Sequence, residues 1–158
     1  TPTVLTTDTK FGSKEKWIKK IKEASGKNDI VDSIVKAEPF GPKTPLDAMV
    51  IAPLTGNSLS KFANAITDSP VLMTAKATLR NQKPVVLAIS TNDALGLNGQ
   101  NLMKLMNAKN IYFVPFGQDN PIKKPTSLVA RMEAIAMTLE EALSGRQYQP
   151  VIIEKYKD

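Results

Sequence analysis

The chain has 158 residues, of which 42% are hydrophobic and 23% are charged, and it contains no cysteine and no histidine. These totals predict a single globular domain over residues 1–158, and they exclude disulfides, thiolate chemistry and any site that needs histidine as a base or ligand. The sequence contains no run of eighteen apolar residues, so we expect no transmembrane helix in it. The formal net charge of +6 leaves nucleic-acid binding open at this point.

The basic residues do not form a nucleic-acid-binding pattern. Their densest group surrounds Trp17 in the segment Ser13–Ala24, where apolar residues recur at helical spacing. Aromatic residues make up only 6% of the chain, so few are present to stack on bases. We therefore interpret this segment as an amphipathic helix with a solvated basic face, capped by Ser13 and ended at Gly26. We expect neither a nucleic acid nor a membrane as a partner.

Strand-like and helix-like segments alternate along the rest of the chain. Short apolar runs predict strands, and apolar residues at spacings of three and four predict helices. The predicted strands are Thr3–Thr6, Ile30–Val35, Asp47–Ala52, Pro84–Ile89, Ile111–Pro115 and a last short apolar run at Val151–Ile153. The further predicted helices are Leu59–Ile66, Pro70–Arg80 with Ser69 as its N-cap, Asn98–Ala108 and Ser127–Leu143. Loops are predicted at Lys36–Pro45 and Phe116–Pro125.

This alternation of elements predicts the fold class. The run Pro84–Ile89 is continuous, apolar and rich in Val and Ile, as in a strand that is covered on both faces. We therefore predict an α/β fold, a Rossmann-like three-layer sandwich with a parallel sheet and helices on both faces. The side chains expected to face the core from two of the helices are Leu59, Phe62, Ala63 and Ile66, and Met132, Ile135, Leu139 and Leu143.

Small polar residues follow two of the predicted strands. The stretch APLTGNSLSK follows one strand and supplies Pro53, Thr55, Gly56, Asn57 and Ser58, and the next predicted strand is followed by a second polar turn of Ser90, Thr91, Asn92 and Asp93. Ligands of parallel α/β sheets bind outside the carboxyl ends of the strands. The N–H groups at a helix N-terminus favour an anion or a carbonyl oxygen. The two turns are therefore a candidate ligand site, and simple helix capping by Asn57 or Ser58 is the alternative.

The same residues resemble a known family. The segment APLTGNSLSKFANAITDSPVLMTAKA resembles the Pro-Ala-Ser-Ala-Asn-Thr region of the flavoproteins that include flavin-containing decarboxylases, and KPVVLAISTN resembles that family's strand ending in Pro-Ala-Met-Asn. The resemblance implies an FMN site at a subunit interface, formed by the two polar turns, with Thr6 as a further candidate contact. It also implies that the family's first strand and Ser/Gly-rich phosphate loop precede Thr1.

A second resemblance extends over nearly the whole chain. The strings IVKAEPFGPKTPLDAMVIAPLTGNSLSKFAN, STNDALGLNGQNLMKLM, KNIYFVPFGQDNP and QPVIIEKY resemble the B-subunit family of dipicolinate synthase from spore-forming bacteria. This resemblance implies a part in oxidising a dihydrodipicolinate-level dicarboxylate to dipicolinate during sporulation, in the cytoplasm of the mother cell. It implies a partner A subunit that carries the NADP-dependent dehydrogenase, and a homo-oligomer that is a trimer or a multiple of one.

Two functions of different classes are compatible with these resemblances. The first is an FMN-binding redox subunit in which Asn57 touches the flavin edge or a substrate carboxylate. The second is a structural or activating subunit that binds no flavin, which is favoured by the missing histidine and by Ser90-Thr91 in place of Pro-Ala. The sequence identifies no catalytic acid or base and no metal site, and Lys61 and Arg80 are the cations nearest to the first turn.

Overall fold

The computed structural model describes residues 2–9 and 12–153. The helices in these ranges are α1 (Pro2–Thr6), α2 (Lys14–Ser25), α3 (Ile34–Ala37), α4 (Gly56–Ala63), α5 (Pro70–Arg80), α6 (Gly99–Met106) and α7 (Ile135–Leu143), with short 3₁₀ helices at Glu38–Phe40 and Met132–Ala134. The strands are β1 (Met49–Leu54), β2 (Val85–Thr91), β3 (Ile111–Phe113), β4 (Phe116–Gly117) and β5 (Leu128–Ala130).

Strand β2 is the centre of the sheet. It pairs in parallel with β1 and, through Val85–Leu87, with β3. Each of the residues Val85–Ile89 is 0% exposed, which requires packed side chains on both faces of the strand. The last residues of β2, Ser90 and Thr91, pair antiparallel with β5, and β5 pairs antiparallel with β4. The α/β, Rossmann-like fold class is therefore confirmed, with a mostly parallel sheet to which β4 and β5 add antiparallel pairs that the sequence did not predict.

The core is built around this central strand. Phe113 on β3 packs edge-on against Phe116 on β4, with ring centroids 5.8 Å apart and an interplanar angle of 60°. Helices α4, α5 and α6 contribute Leu59, Leu72 and Leu102, each at most 2% exposed. The sheet and its helices therefore share one continuous hydrophobic core.

Cap residues place three helix ends where the sequence predicted them. The Ser13 hydroxyl accepts a hydrogen bond from the Lys16 N–H at 3.3 Å, and Gly26 ends α2 with a φ of 65°. The Ser69 hydroxyl accepts from the Leu72 N–H at 3.3 Å at the start of α5. These boundaries were predictable because a cap is a local interaction between residues three apart in sequence.

Two predicted strands in the first part of the chain are wrong. The predicted strand Thr3–Thr6 lies in helix α1, and the predicted strand Ile30–Val35 runs into helix α3. The Ser33 hydroxyl accepts from the Lys36 N–H and thereby starts α3 inside the predicted strand. The adjoining loop prediction also changes, because Glu38–Phe40 forms a 3₁₀ helix. A strand needs a partner, and among the described residues no strand pairs with either segment.

The predicted long helix Ser127–Leu143 is wrong in its first half. Leu128–Ala130 forms β5 instead, because Leu128 and Val129 pair with the last two residues of β2. A 3₁₀ turn follows, and α7 begins only at Ile135. The predicted loop Phe116–Pro125 likewise begins with strand β4. Pairing between residues distant in sequence therefore overrides the local helical pattern.

Two of the expected core residues are exposed. Helix α4 ends at Ala63, and the positive φ of 59° at Ala65 turns the chain, so that Ile66 is 47% exposed. Leu143 is 55% exposed at the end of α7. The other six predicted positions are buried or packed against the core: Leu59, Phe62, Ala63, Met132, Ile135 and Leu139.

Candidate functional site

The carboxyl end of β1 contains an irregularity that turns two residues out of the sheet. Ile51 pairs with Leu87 and Leu54 pairs with Ile89, so the register shifts across Ala52 and Pro53. Both of these residues are exposed, whereas Ile51 and Leu54 are buried. Because Pro cannot donate to a strand ladder, a bulge is a favourable position for it. The proline that precedes the first polar turn thus lies in β1 and faces away from the core.

Helix α4 begins directly after this bulge. Thr55 occupies the N-cap position, but its side chain makes no capping hydrogen bond, and its hydroxyl lies 3.5 Å from the Ser58 hydroxyl. The first N–H groups of any helix lack partners within the helix, and here the N-cap side chain leaves them open. Asn57 is exposed in the first turn. The alternative hypothesis, that Asn57 is the N-cap of this helix, is therefore wrong, because Thr55 occupies the N-cap position.

The two polar turns meet at Gly56. A Cβ atom added to Gly56 would lie 2.6 Å from the Thr91 Oγ1 and 3.2 Å from the Asn98 Nδ2. Only glycine permits this close approach between the first turn of α4 and the end of β2. Ser90 and Thr91 belong to β2 itself, and Asn92 is the exposed residue that follows. The structure thus brings the residues around Gly56 and Thr91 together, as the sequence predicted.

A chain of side-chain hydrogen bonds stabilises the loop that follows β2. The Asp93 carboxylate accepts from the Leu97 N–H at 3.1 Å and from the Asn98 amide at 3.1 Å. The Asn98 Oδ1 accepts from the Asn101 amide at 3.0 Å, and the Asn101 Oδ1 accepts from the Asn64 amide at 3.2 Å. This network joins the loop after β2 to the far end of α4. It fixes the position of the α4 helix relative to the end of β2.

The segment 118–127 covers the loop after β2 from the other side. The Thr126 hydroxyl donates to the Asn92 carbonyl oxygen at 2.6 Å, and the Leu95 N–H donates to the Thr126 carbonyl oxygen at 2.9 Å. Within the covering segment, the neighbouring Ser127 hydroxyl and the Lys124 ammonium, which lies 3.1 Å from the carboxylate, hold the pKa of Asp119 below its ordinary value. The backbone at Asn92 is thus held in place by contacts from a distant part of the chain.

A cavity of about 830 Å³ lies along the outer edge of β1. Helices α1 and α2 supply apolar side chains to one wall, and β1, α4 and α5 form the other. Its volume lies within the range of small-molecule and cofactor sites, and it combines apolar walls with a few polar groups. The polar lining residues are Thr9, Thr55, Asn57, Ser58, Lys61, Asp68 and Ser69.

The predicted site residues divide between this cavity and its surroundings. Pro53, Thr55, Asn57 and Ser58 line the cavity. Four other predicted residues do not line the cavity: Gly56 at the start of α4, and Ser90, Thr91 and Asn92 at the adjoining end of β2. Thr6 does not line it either, and it lies in α1 rather than after a strand. Of the two cations near the first turn, Lys61 lines the cavity and Arg80 does not.

Several residues that shape the region were not found from the sequence. Asn98, Asn101 and Asn64 form the network with Asp93 of the second polar turn, and Thr126 reaches it from a distant loop. The spacing of three between Asn98 and Asn101 was a readable signal for a helical side-chain pair. The contact of Thr126 had no local signal, because its partner is 34 positions away.

The described residues contain no cluster of three or more His, Cys, Asp or Glu side chains that could hold a metal ion. Over the same ranges, no helix has the length and apolar character that a membrane crossing requires.

Comparison with known proteins identifies the family. The model of the family described as Flavoprotein matches residues 3–142. The chain therefore belongs to the flavoprotein family.

Two individual relatives match nearly the whole chain. Over 154 residues the chain is 64% identical to the B subunit of dipicolinate synthase from Bacillus subtilis (strain 168), a match that covers 98% of this chain and 76% of that protein. The crystal structure of the dipicolinate synthase B subunit from Bacillus halodurans C matches with a TM-score of 0.90 and 74% identity, over 99% of this chain and 80% of that one. The resemblance to the B-subunit family is thus confirmed over nearly the whole chain.

A more distant structure shares the fold alone. The FMN-dependent cysteine decarboxylase SpaF superposes with a TM-score of 0.55 and 24% identity, over 78% of this chain and 70% of that one. This likeness supports the Rossmann-like fold class that the alternation of strands and helices predicted.

Proposed function

We propose that the chain acts as the FMN-binding B subunit of a dipicolinate synthase. In this role it contributes to the oxidation of a dihydrodipicolinate-level dicarboxylate to the aromatic pyridine dicarboxylate. The substrate loses two electrons and two protons, and FMN is the electron acceptor that the side chains of this chain cannot replace. The names of the relatives and the membership of the flavoprotein family support this assignment.

The observation that carries the proposal is the contact between the two polar turns. At Gly56 and Thr91, the first turn of α4 with its open N–H groups lies directly against the end of β2. Beside it, Pro53, Thr55, Asn57 and Ser58 line a cavity with apolar walls. A flavin combines a flat apolar ring with a polar edge of N–H and C=O groups, so it requires both kinds of surface. Asn57 can donate to and accept from such an edge at the same time.

The flavin phosphate needs a further element. Strand β1 is an edge strand, and among the described residues no strand pairs with the side that faces the cavity. A further parallel strand can pair there, and a loop that follows such a strand would end at the same edge of the sheet as Thr55 and Ser90. We propose that this strand and the phosphate loop belong to a segment that precedes Thr1. Thr6 remains a candidate contact from α1.

The proposal includes partners as well as a ligand. The relatives are named as the B subunit of their enzyme, which supports an A subunit as partner, and we propose that this partner carries the NADP-dependent dehydrogenase. We further propose a homo-oligomer, a trimer or a multiple of one, that works in the mother-cell cytoplasm of a sporulating bacterium. The net charge of +6 favours the approach of a dianionic substrate.

A second candidate is a structural or activating subunit that binds no flavin. Lys61 and Asp68 are the sole ionisable groups among the described residues that line the cavity, and they pair with each other. Among the described residues, the wall therefore presents no unpaired acid or base. In this second function, the chain stabilises the A subunit and the oxidation takes place entirely on the partner.

The reductive half-reaction separates the two candidates. The full-length protein is loaded with FMN and mixed without oxygen with enzymatically prepared dihydrodipicolinate-level substrate. The redox function predicts loss of flavin absorption and formation of one dipicolinate for each flavin that is reduced. If the flavin absorption stays constant while a mixture with the A subunit and NADP still forms dipicolinate, the proposed redox function is wrong and the second candidate stands.

A further inference from the structure

Among the described residues, the cavity wall contains one charged pair. The Lys61 ammonium lies 2.6 Å from the Asp68 carboxylate, and both side chains line the cavity. Asp68 lies in the connection between α4 and α5, seven positions after its partner. The Lys61 side chain is 32% exposed and that of Asp68 is 50% exposed, so the pair is in contact with the open volume.

The position of Lys61 on α4 relates it to the polar end of the cavity. Asn57 and Ser58 lie three to four positions before it, so all three side chains share one face of the helix. The rise along a helix separates Asn57 from Lys61 by about 6 Å. A small rigid ligand that reaches Lys61 can therefore also reach the first turn of α4.

The pair contributes little to the stability of the fold. An ion pair with this degree of exposure typically contributes little to the free energy of unfolding, because solvent already screens both charges. The ammonium has three donors and the Asp68 oxygen uses one of them. A second carboxylate can therefore share the ammonium with Asp68 or replace it.

We propose that Lys61 binds a carboxylate of the substrate in this cavity and that Asp68 is the internal counterion with which the ligand competes. The inference rests on the proposed function only in its choice of a small aromatic or dihydro-aromatic dicarboxylate as ligand. One carboxylate contacts Lys61, the ring lies against the apolar wall, and the other end of the molecule points toward the first turn of α4, beside the flavin edge that Asn57 is proposed to contact. Lys61 is thereby a specificity residue that selects an anionic ligand.

Binding of pyridine-2,6-dicarboxylate to the flavin-free full-length protein tests this role by isothermal titration calorimetry in metal-free buffer. Replacement of Lys61 removes a charge-assisted contact, so Lys61→Gln is expected to weaken binding about tenfold or more, and Lys61→Arg to retain most of the affinity. Removal of the competitor has the opposite effect, so Asp68→Asn is expected to tighten binding several-fold. The neutral pyridine-2,6-dicarboxamide is expected to bind weakly and equally to all variants.

A second ion pair provides the matched control. Lys83 and Asp47 lie 3.6 Å apart and do not line the cavity, so Lys83→Gln and Asp47→Asn are expected to leave the affinity unchanged. If the wild type does not bind the dicarboxylate, or if Lys61→Gln and Asp68→Asn shift the affinity in the same direction, the proposal is wrong. A thermal unfolding curve for each variant shows whether a loss of binding is a loss of folding.

This test is independent of the flavin. A protein that binds the dicarboxylate through Lys61 but retains no FMN would contradict the proposed redox function and leave this inference intact. A protein that retains FMN but binds the dicarboxylate with the same affinity in the wild type and in Lys61→Gln would contradict only the role of Lys61.

Discussion

The Thr91 Oγ1 lies 2.6 Å from the position that a Cβ atom on Gly56 would occupy, and this contact locks the start of α4 against the end of β2. The two residues are 35 positions apart in sequence. Their contact brings together the polar stretch at the start of α4 and the polar stretch at the end of β2.

Gly56→Ala is expected to destabilise the protein, because the added methyl group overlaps Thr91 and its neighbours must move. Overpacking of this kind costs about 1–3 kcal/mol of unfolding free energy, measured by urea denaturation. The double variant Gly56→Ala with Thr91→Ala is expected to recover part of this loss. Gly99, also the first residue of an eight-residue helix, is the control, because its nearest contact would be the Ala94 carbonyl oxygen at 3.4 Å. An equal loss in Gly99→Ala would contradict the account.

Asn57→Ala is expected to leave the melting temperature unchanged or slightly higher, because Asn57 is exposed and Thr55 holds the N-cap position. Binding of FMN, followed by quenching of flavin fluorescence, is expected to weaken about tenfold through loss of a polar anchor. Asn107→Ala, at an exposed position outside the cavity lining, serves as the control. Unchanged FMN affinity together with a lower melting temperature would show that Asn57 has only a structural role.

Phe62→Ala is expected to cost about 3–5 kcal/mol of unfolding free energy, because the ring is 8% exposed and its removal leaves a cavity in the core. Ile66→Ala, four positions further on, is expected to cost under about 1 kcal/mol, because Ile66 is 47% exposed beyond the end of α4. Chemical denaturation of both variants measures the difference. Equal losses would mean that α4 extends past Ala63.

The segment 118–127 is expected to weaken in acid. Ser127 and Lys124 lower the pKa of Asp119, so the folded state binds this proton less readily than the unfolded state does. The stabilising contribution is therefore complete above the unfolded pKa of about 4 and is lost as the pH falls through the lower folded value. Urea denaturation between about pH 3 and pH 7 is expected to show a smaller pH dependence for Asp119→Asn than for the wild type. Identical pH profiles would contradict the assignment.

The sequence predicted those features that depend on neighbouring residues. Ser13 and Ser69 were identified as caps because each bonds an N–H three positions away. The apolar run of β2 identified the central strand because its burial on both faces leaves no polar position. The alternation of elements then predicted both the fold class and the edge of the sheet at which the polar turns meet.

Features that depend on distant partners were missed. The segment Leu128–Ala130 follows a helical pattern, but the end of β2 offers it a strand partner. The hydrogen bond from Thr126 to Asn92 joins loops whose proximity exists only in the folded chain. The cavity itself could not be predicted. The sequence identified α2 as an amphipathic helix, but it did not show which surface of the protein this helix faces.

An absorption spectrum tests whether the residues around Asn57 hold a flavin. The full-length protein is incubated with FMN, freed of excess ligand by gel filtration and measured in the visible range. We expect retained flavin absorption in the wild type and a clear loss of it in Asn57→Ala, at equal melting temperatures. A colourless wild-type protein that remains folded would contradict the claim.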